Sequence, residues 1–215
     1  MMTSPGKIIS TILKHDNKQT SYKIALLRAI NDVVLSFPDI KSYQRDVAIP
    51  LRILAEYWIA YYWPFIDSPY PIMQGTRSNR NGKLSNDLSF REELTYFRQF
   101  WENEWGGISD PADGFFIINE LRIPRKIASY SKTLIETYRK TIHKVCHAIE
   151  QPIHYAGYGE WAIFEKPQRY RSLAANILPI PGTQPDDMCI VIQAELWESF
   201  RELSLWIEAL CIHVK

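Results

Sequence analysis

The sequence predicts a mainly α fold of the α+β class, a helical domain around a central apolar helix with a small β-sheet in the second half. The first observation is the segment from Pro50 to Pro64, which is apolar or aromatic except for Arg52 and Glu56. The second is the helical spacing of apolar residues in segments on either side. The third is a set of strand-like runs, separated by glycine and proline, after residue 151. We expect residues 1–215 to form a single domain, helix-rich over 1–151 and mixed α/β over 152–215.

The central helix is predicted between the two prolines of this segment. Pro50 suits a first helical position, where its missing N–H has no partner, and Pro64 cannot continue the helix. Arg52 and Glu56 are spaced i,i+4, which predicts that they pair on one face. Because a helix that is apolar nearly all round must be covered on most sides, we expect its neighbours to pack around it.

The segment before the central helix predicts two further helices. A short amphipathic helix is expected over residues 4–13, and a longer one from Thr20 or Ser21 to about Phe37, where Pro38 ends it. Two helices joined by a polar turn are also the pattern of a helix-turn-helix. The second helix is too apolar to lie exposed in a DNA groove, so this alternative is disfavoured.

After the central helix comes the longest irregular stretch, residues 67–88. It contains Arg77, Arg80 and Lys83, and no acidic residue occurs between Asp67 and Asp87. Long loops inside compact domains are usually functional. This stretch is therefore the first candidate for binding a polyanion.

The next helix is predicted from a capping box formed by Ser89 and Glu92, and it is expected to stop at Gly106. The apolar run 115–118 that follows is a short buried strand or the start of a helix, and periodicity does not decide between them. Arg122, Arg125 and Lys126 form a second basic spot at the end of this element.

The remaining chain predicts two long helices with a small sheet between them. Ser131 is expected to cap a helix that Pro152 closes, and a last helix runs from Glu195 to the end. The strand-like runs are 153–155, 161–164 and 188–192. No glycine, asparagine or proline ends the last helix, which predicts that the parent protein continues beyond Lys215.

Composition limits the class of partner and the compartment. The net charge is +1, so no global field draws the chain to nucleic acid or membrane, and a polyanion site must be local. Cys146, Cys189 and Cys211 are odd in number, far apart and in apolar runs, as in a reduced intracellular protein. The longest apolar run is shorter than the ~20 residues of a membrane span. We expect a cytoplasmic protein with no membrane partner.

No complete catalytic or metal motif is present in the sequence. His143 and His147 are spaced i,i+4, which can hold one edge of a metal site, but basic neighbours and the lack of a third ligand favour a solvated basic face. Gly75 to Lys83 differs from a phosphate loop, because six residues separate Gly75 from Gly82 and Leu84 follows the lysine. A hydrolase Gly-x-Ser-x-Gly elbow and a nuclease Glu-x-Lys are both missing.

Three basic spots remain, and the third also contains the aromatic residue Tyr170. They are Arg77, Arg80 and Lys83; Arg122, Arg125 and Lys126; and Lys166, Arg169 and Arg171. Such spots contact phosphates in nucleic-acid-binding proteins and are equally typical of ordinary protein surface.

Four runs spread over nearly the whole chain carry a family resemblance. They are 23–38 (KIALLRAINDVVLSFP), 54–65 (LAEYWIAYYWPF), 155–161 (YAGYGEW) and 203–213 (LSLWIEALCIH). These runs resemble the N-terminal region of bacterial, largely cyanobacterial, HNH endonuclease domain proteins. In those proteins the catalytic His-Asn-His unit, which holds one divalent metal, lies downstream of the last run. This chain stops two residues after His213, so no catalytic residue, metal ligand or cofactor is carried over.

The resemblance implies a DNA-binding or targeting module of an HNH-type endonuclease, and it leaves open whether the chain takes part in an enzyme. The expected DNA contacts are Arg77, Arg80, Lys83, Arg122, Arg125 and Lys126. The alternative is a helical interaction scaffold that docks its C-terminal helix, with Trp197, Trp206 and Leu210, on a partner or a second copy. A third interpretation is a metal enzyme that uses His143 and His147.

Overall fold

A computed structural model describes residues 9, 21–40, 44–66, 72, 78–80, 83–85, 87–106, 110, 113–157 and 159–213. These residues form a mainly α fold with a small sheet, which confirms the predicted fold class. The helix predicted over residues 4–13 lies outside the described residues except for Ile9. Within the described part of the chain, no helix is both long and apolar enough to cross a membrane.

The described helices and strands follow one another in a mixed order along the chain. The helices are α1 (Ser21–Ser36), α2 (Leu51–Tyr62), α3 (Arg91–Trp105), α4 (Asp113–Arg122), α5 (Pro124–Ile127), α6 (Lys132–His154) and α7 (Ala194–His213). The strands are β1 (Val47–Pro50), β2 (Ser78–Arg80), β3 (Lys83–Ser85), β4 (Gln168–Arg169), β5 (Leu178–Pro179) and β6 (Met188–Ile192). Short 3-10 helices occur at Trp63–Phe65 and Tyr170–Ser172.

The chain divides into two compact units. The first comprises Met1–Leu54 and Ile149–Lys215, and the second comprises Ala55–Ala148. Helices α2 and α6 each contribute residues to both units. The expected single domain over residues 1–215 stays a prediction, and the two units are described separately below.

The sheet of the first unit has the strand order β4-β6-β1-β5. Strand β1 is parallel to β5 and antiparallel to β6, with Val47 opposite Ile192 and Pro50 opposite Cys189. The sheet was expected from the second half alone, and this is wrong, because β1 comes from the first half and is buried throughout. Pro50 therefore ends a strand and does not open α2.

Two of the three predicted strands are wrong. Residues 153–154 belong to α6, which continues through Pro152 to His154, and residues 161–164 form turns and bends. Pro152 lies in the last turn of α6, so a kink at this proline affects only the two helical residues that follow it. The run 188–192 is confirmed as β6.

Helices α1 and α7 pack against each other in the first unit. Their positions agree with the predicted helices, and Leu27, Ile30 and Val33 of α1 are fully buried. Asn31 is also buried in α1, and its Nδ2 donates to the carbonyl oxygen of Ser204 in α7 at 3.4 Å.

The core of the second unit is aromatic and includes the C-terminal half of α2. The Phe90 ring lies 6.1 Å from the Trp58 ring and 5.2 Å from the Tyr62 ring, measured between centroids. Phe97 contacts Trp63 at 5.6 Å. Trp58 has no exposed surface, and α2 is buried along most of its length, as expected of a helix that is apolar nearly all round.

Helix α3 begins one position later than the capping box predicts. Phe90 occupies the N-cap position and makes no side-chain capping bond, so the Ser89–Glu92 capping box is wrong. The predicted stop is confirmed, because Gly106 has φ +70° and accommodates the left-handed cap that glycine favours. The run 115–118 is helical, within α4.

The pairing of Arg52 with Glu56 is also wrong. The Nε of Arg52 lies 2.9 Å from Oδ1 of Asp187, and a second guanidinium nitrogen lies 3.1 Å from Oδ2. Glu56 pairs with Arg122. Bidentate contact between a guanidinium and a carboxylate is stronger than an exposed i,i+4 pair, so a tertiary partner wins over the neighbour on the helix.

Candidate nucleic-acid interface

Strands β2 and β3 form an antiparallel hairpin within the first predicted basic stretch. Ser78 is opposite Ser85, and Arg80 is opposite Lys83. We call residues 78–85 the basic hairpin. Its register brings Arg80 and Lys83 to directly opposed positions, whereas Arg77 lies outside the described residues.

The sequence contains a signal for this hairpin that periodicity did not reveal. Asn81 and Gly82 are the two residues between the strands. An Asn-Gly pair is the strongest short-range signal for a two-residue hairpin, because both residues tolerate positive φ. The expected long irregular stretch therefore contains a short sheet.

Like charges at directly opposed strand positions destabilise a hairpin. No acidic residue occurs in the sequence from residue 68 to residue 86, which includes the whole hairpin. The next acid along the chain, Asp87, is held by Arg91, whose Nε lies 2.6 Å from Oδ1 of Asp87. The basic hairpin thus carries two cations at opposed positions, and the nearest downstream carboxylate is engaged elsewhere.

Arg91 holds both ends of the segment that bears the hairpin. It donates to the carbonyl oxygens of Phe65 at 3.2 Å and Ile72 at 3.0 Å on one side, and to Asp87 on the other. This role was missed in the sequence, where the i,i+4 spacing of Asp87 and Arg91 is the only signal.

In the second basic spot, the first cation has a buried partner. Arg122 Nε lies 2.6 Å from Oε2 of Glu56, whose side chain is only 8% exposed. The hydroxyl of Tyr138 donates to the other carboxylate oxygen at 3.2 Å. The guanidinium of Arg122 also lies over the Tyr57 ring, 5.3 Å from its centroid.

The charges around Arg122 favour its protonated form, and its ion pair with Glu56 contributes to the fold. Burial by itself would lower the pKa of Arg122, but the charge of Glu56 and its hydrogen bond, with a further contribution from Tyr57, raise that pKa above its usual value. Lys126 pairs with Glu120, which also accepts a hydrogen bond from the Tyr130 hydroxyl. Arg125 is exposed and forms no ion pair with the described residues.

The third basic spot is partly neutralised as well. A guanidinium nitrogen of Arg171 lies 2.9 Å from Asp186, and one of Arg169 lies 4.0 Å from the same carboxylate. Lys166 is exposed. Of the predicted DNA contacts, the structure therefore brings Arg80 and Lys83 to opposed strand positions and gives Arg122 and Lys126 carboxylate partners.

The histidine pair lies on the surface, and two of the three cysteines are buried. The Nε2 atoms of His143 and His147 lie 3.2 Å apart on an exposed face, and no three metal-binding side chains cluster among the described residues. All three cysteines are free thiols. Burial raises the pKa of Cys189 to about 12 and that of Cys211 to about 11, so both are protonated at neutral pH.

The residues of α7 that were predicted to dock a partner differ in their exposure to solvent. Trp197 is 1% exposed and belongs to the core, which makes it unavailable for docking. Trp206 is 71% exposed, and its neighbour Leu205 is 78% exposed. The side chain of Leu210 lies outside the described part of the structure.

Comparison with known proteins gives one family. Residues 2–214 match the family described as Domain of unknown function (DUF8808). The chain belongs to the DUF8808 family. Neither the curated proteins nor the solved structures contain a match to it. The family description assigns no activity, and the resemblance to HNH endonuclease proteins stays a prediction.

Proposed function

We propose that this chain is a DNA-binding module, without a catalytic site of its own, that targets an HNH-type endonuclease to DNA. The observation that carries the proposal is the register of the basic hairpin, in which Arg80 and Lys83 are opposed within a segment that contains no acidic residue. Like charges at directly opposed positions of a strand pair generally cost stability. A phosphate bound by both cations would offset that cost.

The shape of the element supports the same interpretation. A two-stranded antiparallel ribbon fits the major groove of B-DNA, and cations at its tip reach the phosphate backbone. Arg77 precedes β2 in the sequence and adds a third cation to the same segment. Arg125 is the secondary contact in this proposal, because Arg122 and Lys126 are held by Glu56 and Glu120.

The nuclease part of the proposal rests on the sequence resemblance. An HNH unit outside these residues would supply the divalent metal and the hydrolysis, and this chain would supply position on the DNA. The free cysteines suit the reducing cytoplasm, which is where we place the protein.

The proposal is tested by the salt dependence of duplex binding. Fluorescence anisotropy of a labelled duplex is measured from about 50 to 200 mM salt, a range in which phosphate contacts change affinity strongly. The triple variant Arg77→Ala, Arg80→Ala, Lys83→Ala is expected to bind more weakly and to flatten the slope of log affinity against log salt by about 2–3.

The matched control removes the same charge from another surface. Lys132, Arg139 and Lys140 are exposed on α6, and their triple alanine variant is expected to change the slope by less than about 1. Equal slopes for both triple variants, or for the hairpin variant and the unchanged chain, would contradict the assignment of contacts.

A second candidate function is self-association through α7. Leu205 and Trp206 place a large apolar surface in water at adjacent positions, and exposed apolar patches mark interaction sites. We propose that a second copy of this chain covers them, with the two helices in contact. Sedimentation velocity is expected to show a dimer that Leu205→Ser with Trp206→Ser converts to monomer, whereas a monomer at all concentrations would exclude this function.

A further inference from the structure

The first unit contains a pocket of about 360 Å³ at one end of its sheet. Val47 of β1 pairs with Ile192 of β6, so Asp46 and Gln193 are the next residues beyond the end of the ladder. Both line the pocket, together with residues of β4 and of the segment 172–177. The volume falls within the range of small-molecule sites.

The polar side chains that line the pocket include no cation. They are Asp46, Glu165, Gln168, Ser172, Asn176 and Gln193. The two carboxylates can only accept hydrogen bonds, whereas the three carboxamides both accept and donate. Hydrogen-bond donors on a ligand suit the two carboxylates, whose charge also disfavours an anionic group beside them.

Most of these polar groups have no partner within the described part of the chain. Oδ1 of Asp46 accepts the backbone N–H of Ala194 at 3.0 Å, and no described residue donates to its other oxygen. The side chains of Glu165, Gln168 and Asn176 form no hydrogen bond with any described residue. Their hydrogen-bonding capacity is therefore available to a ligand.

The rest of the lining is apolar. Ile163, Leu173, Ile177 and Val191 contribute aliphatic walls beside the polar groups. Aliphatic side chains can pack against the faces of a flat ring while polar groups read its edge. A planar heterocycle with donor groups on its edge fits both parts of the lining.

Cations flank the pocket along the chain. Arg45 precedes Asp46 and Lys166 follows Glu165. Both are exposed, and neither forms an ion pair with the described residues. Arg171, next to the lining residue Ser172, shares Asp186 with Arg169. The adjacency in sequence of Arg45 and Lys166 to lining residues of the pocket suits a ligand that carries an anion attached to a neutral, donor-bearing part.

We infer that this pocket binds a nucleobase that carries an exocyclic amine, with the attached phosphate near Arg45 and Lys166. Carboxylates and carboxamides read such amines in nucleic-acid recognition. The base has two sources, a free nucleotide or a base turned out of DNA. A base turned out of DNA as the ligand rests on the proposed DNA-binding function. The inferred chemistry of the pocket does not depend on that function.

The first test compares two nucleotides that differ in the base substituent that the pocket is inferred to bind. By equilibrium dialysis, dCMP is expected to bind at least about tenfold more tightly than dUMP, since dUMP has a carbonyl where dCMP has the amine. The variant Asp46→Asn with Glu165→Gln is expected to lose this preference. The carboxamide introduced in place of Asp46 would keep an oxygen for the N–H of Ala194, so the fold should be retained, which circular dichroism checks.

Glu202→Gln is the control, because Glu202 is exposed on α7 and does not line the pocket. It is expected to keep the wild-type preference for dCMP. Equal binding of dCMP and dUMP, or no binding of dCMP, dAMP or dGMP by the unchanged chain, would overturn the inference.

The second test distinguishes the two sources with a duplex that contains 2-aminopurine, whose fluorescence rises when it leaves the base stack. A rise with the unchanged chain but not with the double variant supports a base turned out of DNA. Nucleotide preference with bound duplex but no rise supports a free nucleotide. A preference for dCMP without duplex binding would support the pocket inference and contradict the proposed DNA-binding function. Duplex binding without a preference for dCMP would support the proposed function and contradict the pocket inference.

Discussion

The basic hairpin and the basic segment 122–126 have the same kind of charge in the sequence but belong to different kinds of element in the structure. In the hairpin, Arg80 and Lys83 are opposed within a segment that contains no acidic residue. In the segment 122–126, Arg122 and Lys126 lie against Glu56 and Glu120. A cation paired with a carboxylate stabilises the fold, whereas the register of the hairpin places two basic residues opposite each other. Charge counted along a sequence does not separate these two arrangements.

The largest expected effect comes from removing the partner of the nearly buried Glu56. We expect Arg122→Ala to lower the free energy of unfolding by about 2–3 kcal/mol, because it leaves a nearly buried carboxylate with Tyr138 alone. The value lies below that of a fully buried pair because the Arg122 side chain is 36% exposed and water screens it. Urea unfolding measures the change.

Arg125→Ala is the control for that comparison. It removes an equal charge three residues away and is expected to change stability by less than about 0.5 kcal/mol. If Arg122→Ala weakened DNA binding without lowering stability, Arg122 would be a DNA contact and the distinction between the two basic segments would fail.

The next largest effect is expected from changing the packing of α4, the helix that ends at Arg122. Gly114 lies so close to the end of α2 that an added Cβ would sit 2.8 Å from the Cβ of Trp63 and 3.0 Å from the Cα of Ala60. We expect Gly114→Ala to destabilise the protein by about 1–2 kcal/mol despite alanine's better helix propensity. Asn119→Ala, at an exposed position of the same helix, should be nearly neutral in thermal unfolding.

A smaller effect is expected from loosening the hairpin without touching its cations. Arg91→Lys keeps the charge, but an ammonium group cannot bond Asp87, Phe65 and Ile72 together as the guanidinium does. We expect amide hydrogen exchange in residues 78–85 to become about tenfold faster, as local opening becomes easier by about 1.4 kcal/mol. Arg139→Lys, on the exposed face of α6, should leave that exchange unchanged.

The smallest effect is the contribution of one cation to DNA binding. Arg80→Ala is expected to flatten the salt slope by about 0.9, the value of one phosphate contact, and Arg125→Ala by less than half of that. Anisotropy titrations over a series of salt concentrations measure both slopes. A larger change for Arg125→Ala would reverse the order of the two segments.

The helices were largely predictable because their signals are local. Helix α1, the stop of α3 at Gly106 and the start of α6 follow from periodicity, capping and chain termination within a few residues. The Ser131 hydroxyl accepts the N–H of Leu134 at 3.2 Å, as predicted for that cap. The basic hairpin was within reach too, through Asn81 and Gly82.

The sheet and the site were less predictable because their partners are distant in the chain. Strand β1 has four residues and ends in Pro50, so only its pairing with β5 and β6, far along the chain, identifies it. The pocket was not predictable either, because its lining residues Asp46 and Gln193 are distant in the sequence and meet only in the fold. The exposure of Trp206 and the burial of Trp197 on one helix also depend on what packs there.

By itself the sequence determined the helical class, the buried character of α2 and the position of the basic segments, because periodicity and charge are properties of neighbouring residues. Tertiary structure alone decided that Arg52 meets Asp187 and that Glu56 meets Arg122. The physical reason is that an ion pair forms where the folded backbone brings two charges within about 4 Å. Helical spacing predicts only the neighbour on the same helix, whereas the fold also offers partners from distant parts of the chain.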